Sequence, residues 1–500
     1  MKYLIGIDIG TSGTKSVLFD TEGNTVASAT ADYPLYQPEN GWAEQNPQDW
    51  WKAVCSTLSE ISKKACGEIC GIGLSGQMHG LVMLDENNEV IRDAIIWCDG
   101  RTTEECNEIE SIIGHDRLLE ITGNLALEGF TASKIMWVKK HEPENFRRCR
   151  HILLPKDYIR YMLTGVYATD VSDASGMQLL DVGKRCWSGE ALNKLGIKQD
   201  LLAKVYESPE VTGYITETAA NLCVLKEGIP VAAGAGDNAA AAIGTGVCEN
   251  GKAFTTIGTS GVVFAHTDEM IFDPKGRIHT FCCAVPGAWH VMGVTQAAGL
   301  SLSWFKNQFA KDLPYNEIDR LCEKIPIGSD NLIYLPYLMG ERTPVLDTNA
   351  RGVFFGLSAM HTRAHMARAI MEGVSYSLKN CLDVLDESGV AATDMALCGG
   401  GAKGSFWRSM IADIFNMPIK IMQLEEGPAL GAAILAGCAS GIFKNVPEGC
   451  EKLVKAKHEQ QPNKTNHAEY EKYYEIYNSL YPSLKSNFSM LADLANKRKD

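Results

Sequence analysis

Long hydrophobic runs and an excess of positive charge are both missing from this 500-residue chain. No stretch of about 18 consecutive apolar residues occurs, so we expect no helix that spans a membrane. The net charge is −14, whereas proteins that bind nucleic acid or anionic membranes carry basic surfaces. We therefore expect neither of these partners. A phosphate-bearing ligand would have to be held by local groups, because the overall field repels it.

Metal-binding cysteine patterns are also missing. The sixteen cysteines include no C-x-x-C pair and no Cys/His cluster with the spacing of a zinc site. Most stand alone in apolar stretches, and the neighbours Cys282 and Cys283 are more typical of packing than of a disulfide. Reduced core thiols are typical of cytosolic proteins. The first apolar run is too short for a signal peptide and Asp8 interrupts it, so we expect a cytoplasmic protein.

A repeated pattern suggests that the chain has two similar halves. A strand pattern at 3–9 leads into the glycine loop 10–15, and strand patterns resume at 16–19 and 25–28. The second half repeats this order around the loop Gly258–Gly261, and both loops contain the letters G-T-S-G.

The rest of each half contains α/β patterns. Strands are predicted at 69–74, 93–97, 230–235, 254–257, 262–265 and 394–398, and helices at 101–113, 237–243, 363–388, 405–415 and 470–480. The length suits two domains. We predict two α/β domains, residues 1–245 and 246–500, with a cleft between them that holds one shared nucleotide.

The first glycine loop has the residue types of a phosphate-binding loop. Its glycines let the backbone approach a phosphate closely, and its polar members add hydroxyl donors and one charge: Thr11, Ser12, Thr14 and Lys15. Asp8, at the end of the preceding strand, is placed to hold a hydrated Mg²⁺ on the phosphates. No G-x-x-x-x-G-K-[ST] motif occurs, so this is not a Walker A loop. The alternative is a tight hairpin, which the second G-T-S-G loop makes less attractive.

Asp237 stands where a strand ends and an alanine-rich helix begins, in the sequence Gly234–Asn238. The positive end of the helix dipole favours an ionised carboxylate there. Such a carboxylate can accept the proton of a hydroxyl group that attacks phosphorus. An ordinary N-cap aspartate is the alternative, and the residues alone leave both open.

Two further loops follow strands and carry polar side chains. In the loop Gly76–Gly80, His79 could hydrogen-bond a sugar hydroxyl and Met78 could cover an apolar edge; the alternative for His79 is a structural histidine. Asp99, in the sequence W-C-D-G-R, could bind sugar or merely cap the helix that follows.

The sequence GGGAKG lies between a strand and a helix at 399–404. Three glycines at a strand end permit close backbone contact with a flat or anionic ligand. We expect an adenosine site that includes Gly400, Gly401 and Lys403, with a flexible connector as the alternative.

Two longer segments resemble the signatures of the FGGY carbohydrate kinases: Gly129–His141, and a segment that starts at Gly352 and continues to Glu372. The resemblance covers nearly the whole chain. It implies a pair of actin-like domains with the ribonuclease H-like fold, hinged around the active site of an ATP-dependent sugar kinase. It also implies residue roles: Asp237 as catalytic base, Asp8 near the metal and phosphates, sugar contacts from Met78, His79, Asp237 and Asn238, phosphate contacts at Gly258 and Thr259, adenosine contacts at Gly400 and Gly401, and Trp304 lining the nucleotide site.

Four short motifs resemble the members of this family that phosphorylate D-xylulose at O5: QMHG at 77–80, LPKDY at 154–158, GDNAA at 236–240 and GERTP at 340–344. One departure is Cys98, where these members often carry Asn, and we expect it to alter pocket detail only. The same catalytic parts serve kinases of ribulose, fuculose, rhamnulose, glycerol and gluconate. A non-metabolic actin-like ATPase is a more distant alternative, and the resemblance leaves a homodimer open.

Overall fold

The structure is a computed structural model that describes residues 1–424 and 426–496. Its strands, in chain order, are β1 (Lys2–Ile9), β2 (Gly13–Asp20), β3 (Thr25–Asp32), β4 (Glu44–Gln45), β5 (Glu68–Gly76), β6 (Val82–Leu84), β7 (Ala94–Ile95), β8 (His151–Leu153), β9 (Ala168–Asp170), β10 (Leu180–Asp181), β11 (Cys186–Trp187), β12 (Lys204–Tyr206), β13 (Val211–Tyr214), β14 (Pro230–Ala232), β15 (Ala235–Gly236), β16 (Lys252–Ile257), β17 (Gly261–Thr267), β18 (His279–Cys282), β19 (Trp289–Thr295), β20 (Ile333–Leu335), β21 (Val353–Phe355), β22 (Asp394–Cys398), β23 (Ile419–Met422) and β24 (Ala456–Gln460).

The helices are α1 (Pro47–Ser62), α2 (Thr103–Ile113), α3 (His115–Thr122), α4 (Thr131–His141), α5 (Pro143–Arg148), α6 (Pro155–Thr164), α7 (Val171–Ser175), α8 (Gly189–Leu195), α9 (Glu217–Cys223), α10 (Asp237–Gly244), α11 (Gly299–Phe309), α12 (Tyr315–Glu323), α13 (Arg363–Glu387), α14 (Ser405–Phe415), α15 (Gly427–Ala439), α16 (Val446–Leu453) and α17 (Lys464–Asn496), with short 3₁₀ turns at Gln199–Leu201 and Gly400–Lys403. None of the helices within the described residues has both the length and the apolar character that a membrane span requires. All sixteen cysteines lie in the described part of the chain and are free.

Two seven-stranded sheets form the centre of the molecule. The first has the order β13-β14-β5-β1-β2-β3, with β15 paired to β5, and the second has the order β18-β19-β17-β16-β22-β23-β24. In each sheet three antiparallel strands lie beside a parallel strand: β5 follows β1 in the first and β22 follows β16 in the second. The predicted α/β fold of two similar domains is confirmed.

The centre of the first sheet is buried on both faces, which explains the almost continuous apolar sequence of β1. Helix α1 packs on one side of it and α15 on the other. Close approach of α15 requires glycine in the strands, because a Cβ atom on Gly6 would lie 1.8 Å from the carbonyl oxygen of Ala429. Gly73 has the same relationship to the carbonyl oxygen of Ala432. The small residues of α15 therefore serve tight packing against the sheet.

Helix α15 comes from the second half of the chain but covers the sheet of the first half. It also packs against α10, where Gly431 fits against the backbone of Ala240. The strands themselves divide cleanly, since the first sheet ends at Gly236 and the second begins at Lys252. The boundary near residue 246 stays a prediction.

Three predicted elements differ from the structure. The strand predicted at 230–235 is broken into β14 and β15 because Gly234 has a φ of +79°. The strand at 93–97 is reduced to β7, and the C-terminal helix predicted at 470–480 is the much longer α17, which contains Pro482.

Candidate active site

Asp8 lies near the end of β1, just before the first glycine loop, and it is opposite Ser75 of the neighbouring strand β5. It is partly exposed, and its Oδ1 atom accepts a hydrogen bond of 2.9 Å from the hydroxyl of Ser75. Burial raises the pKa of Asp8 above its usual range, while the Ser75 bond and the charge of Lys15 oppose this shift. No hydrogen bond to the Oδ2 atom exists within the described residues, so one oxygen is available to a ligand.

Asp237 is the first residue of α10, directly after β15. Because β15 pairs with β5 at Ser75 and Gly76, Asp237 is placed beside the same strand end as Asp8. Its Oδ1 atom accepts bonds from the backbone and side-chain nitrogens of Asn238 at 2.7 and 3.0 Å. Burial, and then the negative charge of Asp8, raise the pKa of Asp237 to about 7. In this structure Asn238 thus donates two hydrogen bonds to the carboxylate of Asp237.

The segment that contains Met78 and His79 lies next to Asp237, because Met78 packs against Gly236, the residue before Asp237. Gly236 lies against Met78, because a Cβ atom there would be 2.7 Å from the Met78 Cγ atom. The Nδ1–H group of His79 donates to the carbonyl oxygen of Gly176 at 3.1 Å, since a carbonyl can only accept. Burial holds the pKa of His79 well below its usual range, so the ring is neutral and its Nε2 atom is an acceptor.

His79 has an unusual backbone conformation, with a φ of +69°. Its carbonyl oxygen accepts bonds from the Thr131 hydroxyl at 3.1 Å and from the Lys134 ammonium at 2.9 Å. Both donors lie in α4, within the first of the two signature segments. Lys134 is fully buried, and the loss of solvation lowers its pKa to about 7. This segment fixes the loop that carries His79.

The first glycine loop is tied down by its neighbours. The indole Nε1–H group of Trp97 donates to the Thr11 hydroxyl at 2.9 Å, and the Gln45 side chain donates to the Thr11 carbonyl at 2.7 Å. Ser12 is exposed, whereas the Thr14 side chain is fully buried in β2. Direct contact of a ligand with the Thr14 hydroxyl is therefore not supported by this arrangement.

Lys15 forms an ion pair with Glu426, which precedes α15. Both side chains are partly exposed. The pair joins the first glycine loop to the second half of the chain. Sequence reasoning missed Glu426 because its partner lies about four hundred residues away, and no local pattern marks such a contact.

Asp99 is committed to structural contacts. Its carboxylate accepts bonds from the backbone N–H of Ala43 at 2.5 Å and from the Arg101 side chain at 2.7 and 2.9 Å. Only 2% of Asp99 is exposed. These contacts give Asp99 a structural role, although it does not cap α2, whose N-cap residue is Thr102; sugar binding by Asp99 stays a prediction. In the same motif Trp97 is 44% exposed, and its contact with Thr11 makes it the better candidate for a ligand contact.

The second glycine loop has a tight connection to α11. The backbone N–H of Gly299 donates to the carbonyl oxygen of Gly258 at 2.7 Å, and the N–H of Ala298 donates to that of Thr259 at 3.0 Å. Gly258 and Thr259 are exposed. Trp304 lies further along α11, partly buried and edge-on to Phe309.

The turn Gly400–Lys403 packs on the strand that leads into this second loop. A Cβ atom on Gly401 would meet the Ile257 side chain at 2.5 Å, whereas Gly400 faces open space. Lys403 is exposed. The structure thus brings the predicted phosphate and adenosine residues of the second domain together around Ile257, as it brings Asp8, Asp237, Met78 and His79 together in the first.

A preformed metal cage is not present: within the described residues no group of three or more His, Cys, Asp and Glu side chains could hold an ion. Mg²⁺ is commonly bound by one or two carboxylates together with substrate phosphates. The half-buried Asp8 carboxylate, with one oxygen free of hydrogen bonds, fits that mode of binding.

The chain is similar to sugar kinases over nearly its whole length. The N-terminal domain of the FGGY family of carbohydrate kinases matches residues 3–244, and the C-terminal domain matches residues 253–440. A xylulose kinase of Bacillus subtilis is 42% identical over 488 residues, which cover 97% of this chain and 98% of the relative.

Solved structures of sugar kinases are also similar to this chain. A ligand-bound xylulose kinase from Lactobacillus acidophilus superposes with a TM-score of 0.94 at 29% identity, covering 98% of this chain and 100% of that one. A gluconate kinase from the same organism superposes with a TM-score of 0.93, also at 29% identity, covering 98% and 99%. The chain belongs to the FGGY family of carbohydrate kinases, enzymes that transfer a phosphoryl group from ATP to a sugar.

Proposed function

We propose that this kinase phosphorylates D-xylulose at O5 and that Asp237 is the general base. The observation that carries the base assignment is the pairing of two carboxylates at one strand end, where burial and Asp8 raise the pKa of Asp237 to about 7. A base with a pKa near the working pH combines an ionised fraction with useful proton affinity. Identity of 42% to a xylulose kinase over nearly the full length supports the sugar.

In this proposal the ketose lies against the first domain. The Nε2 atom of His79 accepts a hydrogen bond from a sugar hydroxyl, and Met78 covers an apolar edge of the sugar. The Oδ2 atom of Asp237 accepts the proton of the attacking O5 hydroxyl as the O–P bond forms. Phosphoryl transfer depends mostly on positioning and charge neutralisation.

ATP lies between the two glycine loops in this proposal, with its phosphates at Thr11, Ser12, Gly258 and Thr259. Its adenosine lies along Gly400 and Gly401, where the backbone of Gly400 faces open space. Asp8 would hold Mg²⁺, which neutralises phosphate charge when bound. Exclusion of water from the closed site protects the phosphoryl group from hydrolysis.

A different sugar is the main alternative, because the gluconate kinase superposes as well as the xylulose kinase. The test is ADP release with ATP and Mg²⁺ across D-xylulose, L-ribulose, L-fuculose, L-rhamnulose, glycerol and D-gluconate, with a control that contains no sugar. We expect kcat/KM for D-xylulose to exceed the others by about tenfold or more. Preference for another sugar would refute the substrate, and ATP turnover independent of sugar would refute metabolic kinase activity.

The base is tested separately by Asp237→Asn, which keeps the shape of the side chain. We expect kcat to fall by about a hundredfold or more, with ATP binding retained, because only the acceptor of the proton is lost. Retention of more than about a tenth of the activity would show that Asp237 is not the base.

A further inference from the structure

The short helix α7 touches the strand that carries the proposed base. The hydroxyl oxygen of Ser172 accepts a hydrogen bond of 3.2 Å from the backbone N–H of Gly236. Gly236 immediately precedes Asp237, so this bond fixes the peptide that sets the position of the carboxylate. Ser172 is fully buried, and within the described residues its hydroxyl forms no hydrogen bond to the carboxylate of Asp8 or Asp237.

The remaining contacts of α7 place it between the sugar loop and the second sheet. Gly176, which follows the helix, accepts the bond from His79. The hydroxyl oxygen of Ser175 accepts a bond of 3.0 Å from the backbone N–H of Cys282 in β18. One turn of helix thus sets the relative position of Asp237, His79 and the second domain.

A buried ion pair determines the direction of the hydrogen bonds at Ser172. The Ser172 hydroxyl donates to the Oδ2 atom of Asp170 at 2.6 Å, and the Oδ1 atom of Asp170 lies 2.7 Å from the Lys156 ammonium. An ionised carboxylate can only accept hydrogen bonds. The proton of Ser172 therefore points to Asp170, and the lone pairs of its oxygen are left to accept from the backbone N–H of Gly236.

Burial of the charged side chains around Lys156 costs desolvation free energy. Lys156 also lies 2.6 Å from Asp157 and 3.3 Å from Asp173, and all of these side chains are essentially without solvent contact. Buried ion pairs are weak contributors to net stability, and in some proteins they are retained because they specify one geometry. Here the geometry that they specify is the peptide before Asp237.

We propose that Lys156, Asp170 and Ser172 form a positioning network for Asp237, with no chemical step of their own. The inference rests on the proposed role of Asp237 as the base. Loss of the network shifts the carboxylate relative to the sugar hydroxyl, so that turnover suffers more than the binding of ATP, which uses other loops.

The test compares Ser172→Ala with Ser208→Ala. Ser208 is a matched control because it is equally buried and its hydroxyl donates to the same Oδ2 atom of Asp170, at 2.9 Å, but within the described residues it forms no hydrogen bond to Gly236. We expect Ser172→Ala to lower kcat about tenfold or more with the KM for ATP changed by less than about twofold. Ser208→Ala should leave kcat within about twofold of the wild type and show a similar change in thermal midpoint.

Equal kcat values for the two variants would overturn the proposal, because the network would then have only a structural role. If Ser172→Ala does not fold, Asp170→Asn is the second variant. Its amide can turn a donor toward Ser172, so we expect the same selective loss of kcat, and an unchanged kcat overturns the proposal. Asp237→Asn is assayed in parallel. An active Asp237→Asn enzyme refutes the base itself, whereas an inactive one together with a fully active Ser172→Ala enzyme refutes only the positioning network.

Discussion

The carboxylates of Asp8 and Asp237 lie on either side of the end of β5, Asp8 in β1 and Asp237 directly after β15, and the charge of the first raises the pKa of the second. This places two acids at one edge in different environments. Asp8 has the Ser75 hydroxyl and the Lys15 charge to oppose its shift, whereas Asp237 is opposed only by donors from Asn238. Such a difference suits one acid to hold a cation and the other to take a proton.

The pH dependence of the reaction follows from this relationship. Asp237 must be ionised to accept a proton, and its pKa is about 7. We therefore expect kcat/KM for the sugar to fall about tenfold for each pH unit below that value. A pH profile measured at saturating ATP checks this, and a flat profile down to pH 5 would contradict it.

His79 should affect sugar binding without changing that profile. In His79→Gln the acceptor Nε2 is replaced and the ring is lost, so we expect the KM for the sugar to rise about tenfold while the KM for ATP is unchanged. The fall of kcat/KM at low pH should occur at the same pH as in the wild type, because the pKa of His79 lies well below its usual range in the folded protein. A fall of kcat/KM at a different pH would show that His79 titrates during the reaction.

Glu426 should weaken the first glycine loop as a phosphate site. Its ion pair neutralises Lys15, and a phosphate must compete with it. We expect Glu426→Gln to lower the KM for ATP about two- to fivefold. The control Glu448→Gln removes an ion pair with Lys452 on α16 and should leave this KM unchanged. Weaker ATP binding by Glu426→Gln would show that Glu426 contributes to the site directly.

Gly400 tests the adenosine site with little risk to the fold. A Cβ atom at this glycine meets no protein atom within 4 Å, so Gly400→Ala should fold normally. We expect a rise of about fivefold or more in the KM for ATP and no change in the KM for the sugar, because the methyl group occupies ligand space. Gly189→Ala, at the start of α8, also meets no atom within 4 Å and is the control.

Lys156 should be important for stability. In Lys156→Met, three buried aspartates lose their shared cation, and we expect a loss of about 3–5 kcal/mol in the free energy of unfolding. Burial already raises the pKa of Asp173 well above its usual range. An acid with a raised pKa in the folded state destabilises the protein as the pH rises, so the loss should shrink at low pH. Urea unfolding at pH 5 and pH 8 measures this, and Lys52→Met, at an exposed pair, should change little.

Local patterns predicted most of the fold. The helix over 405–415 and the strand over 394–398 have the predicted bounds, and both glycine loops lie between the predicted strands, because turn residues and apolar periodicity act over a few residues. The strand at 230–235 failed at Gly234, since apolar periodicity does not reveal a positive φ. The helix pattern at 470–480 covered only part of α17.

The site was predicted only in part, because its connections are distant in sequence. Asp8 lies at the end of a strand, Asp237 and His79 lie shortly after one, and this local signal identified them. Nothing local shows that Lys15 meets Glu426 or that Ser172 holds the peptide before Asp237. Asp99 carries the residue type of a sugar ligand, but only its contact with Arg101 reveals how its oxygens are used.

The fit of α15 against Gly6 and Gly73 has a consequence for dissecting the protein. A fragment that stops at residue 246 lacks α15 and would expose one face of its sheet to water, along strands that are apolar on both faces. Such a fragment should aggregate when expressed alone and should become tractable when the second half is supplied in the same cell. Exchange of halves between related enzymes should succeed only when α15 travels with the strands that it covers.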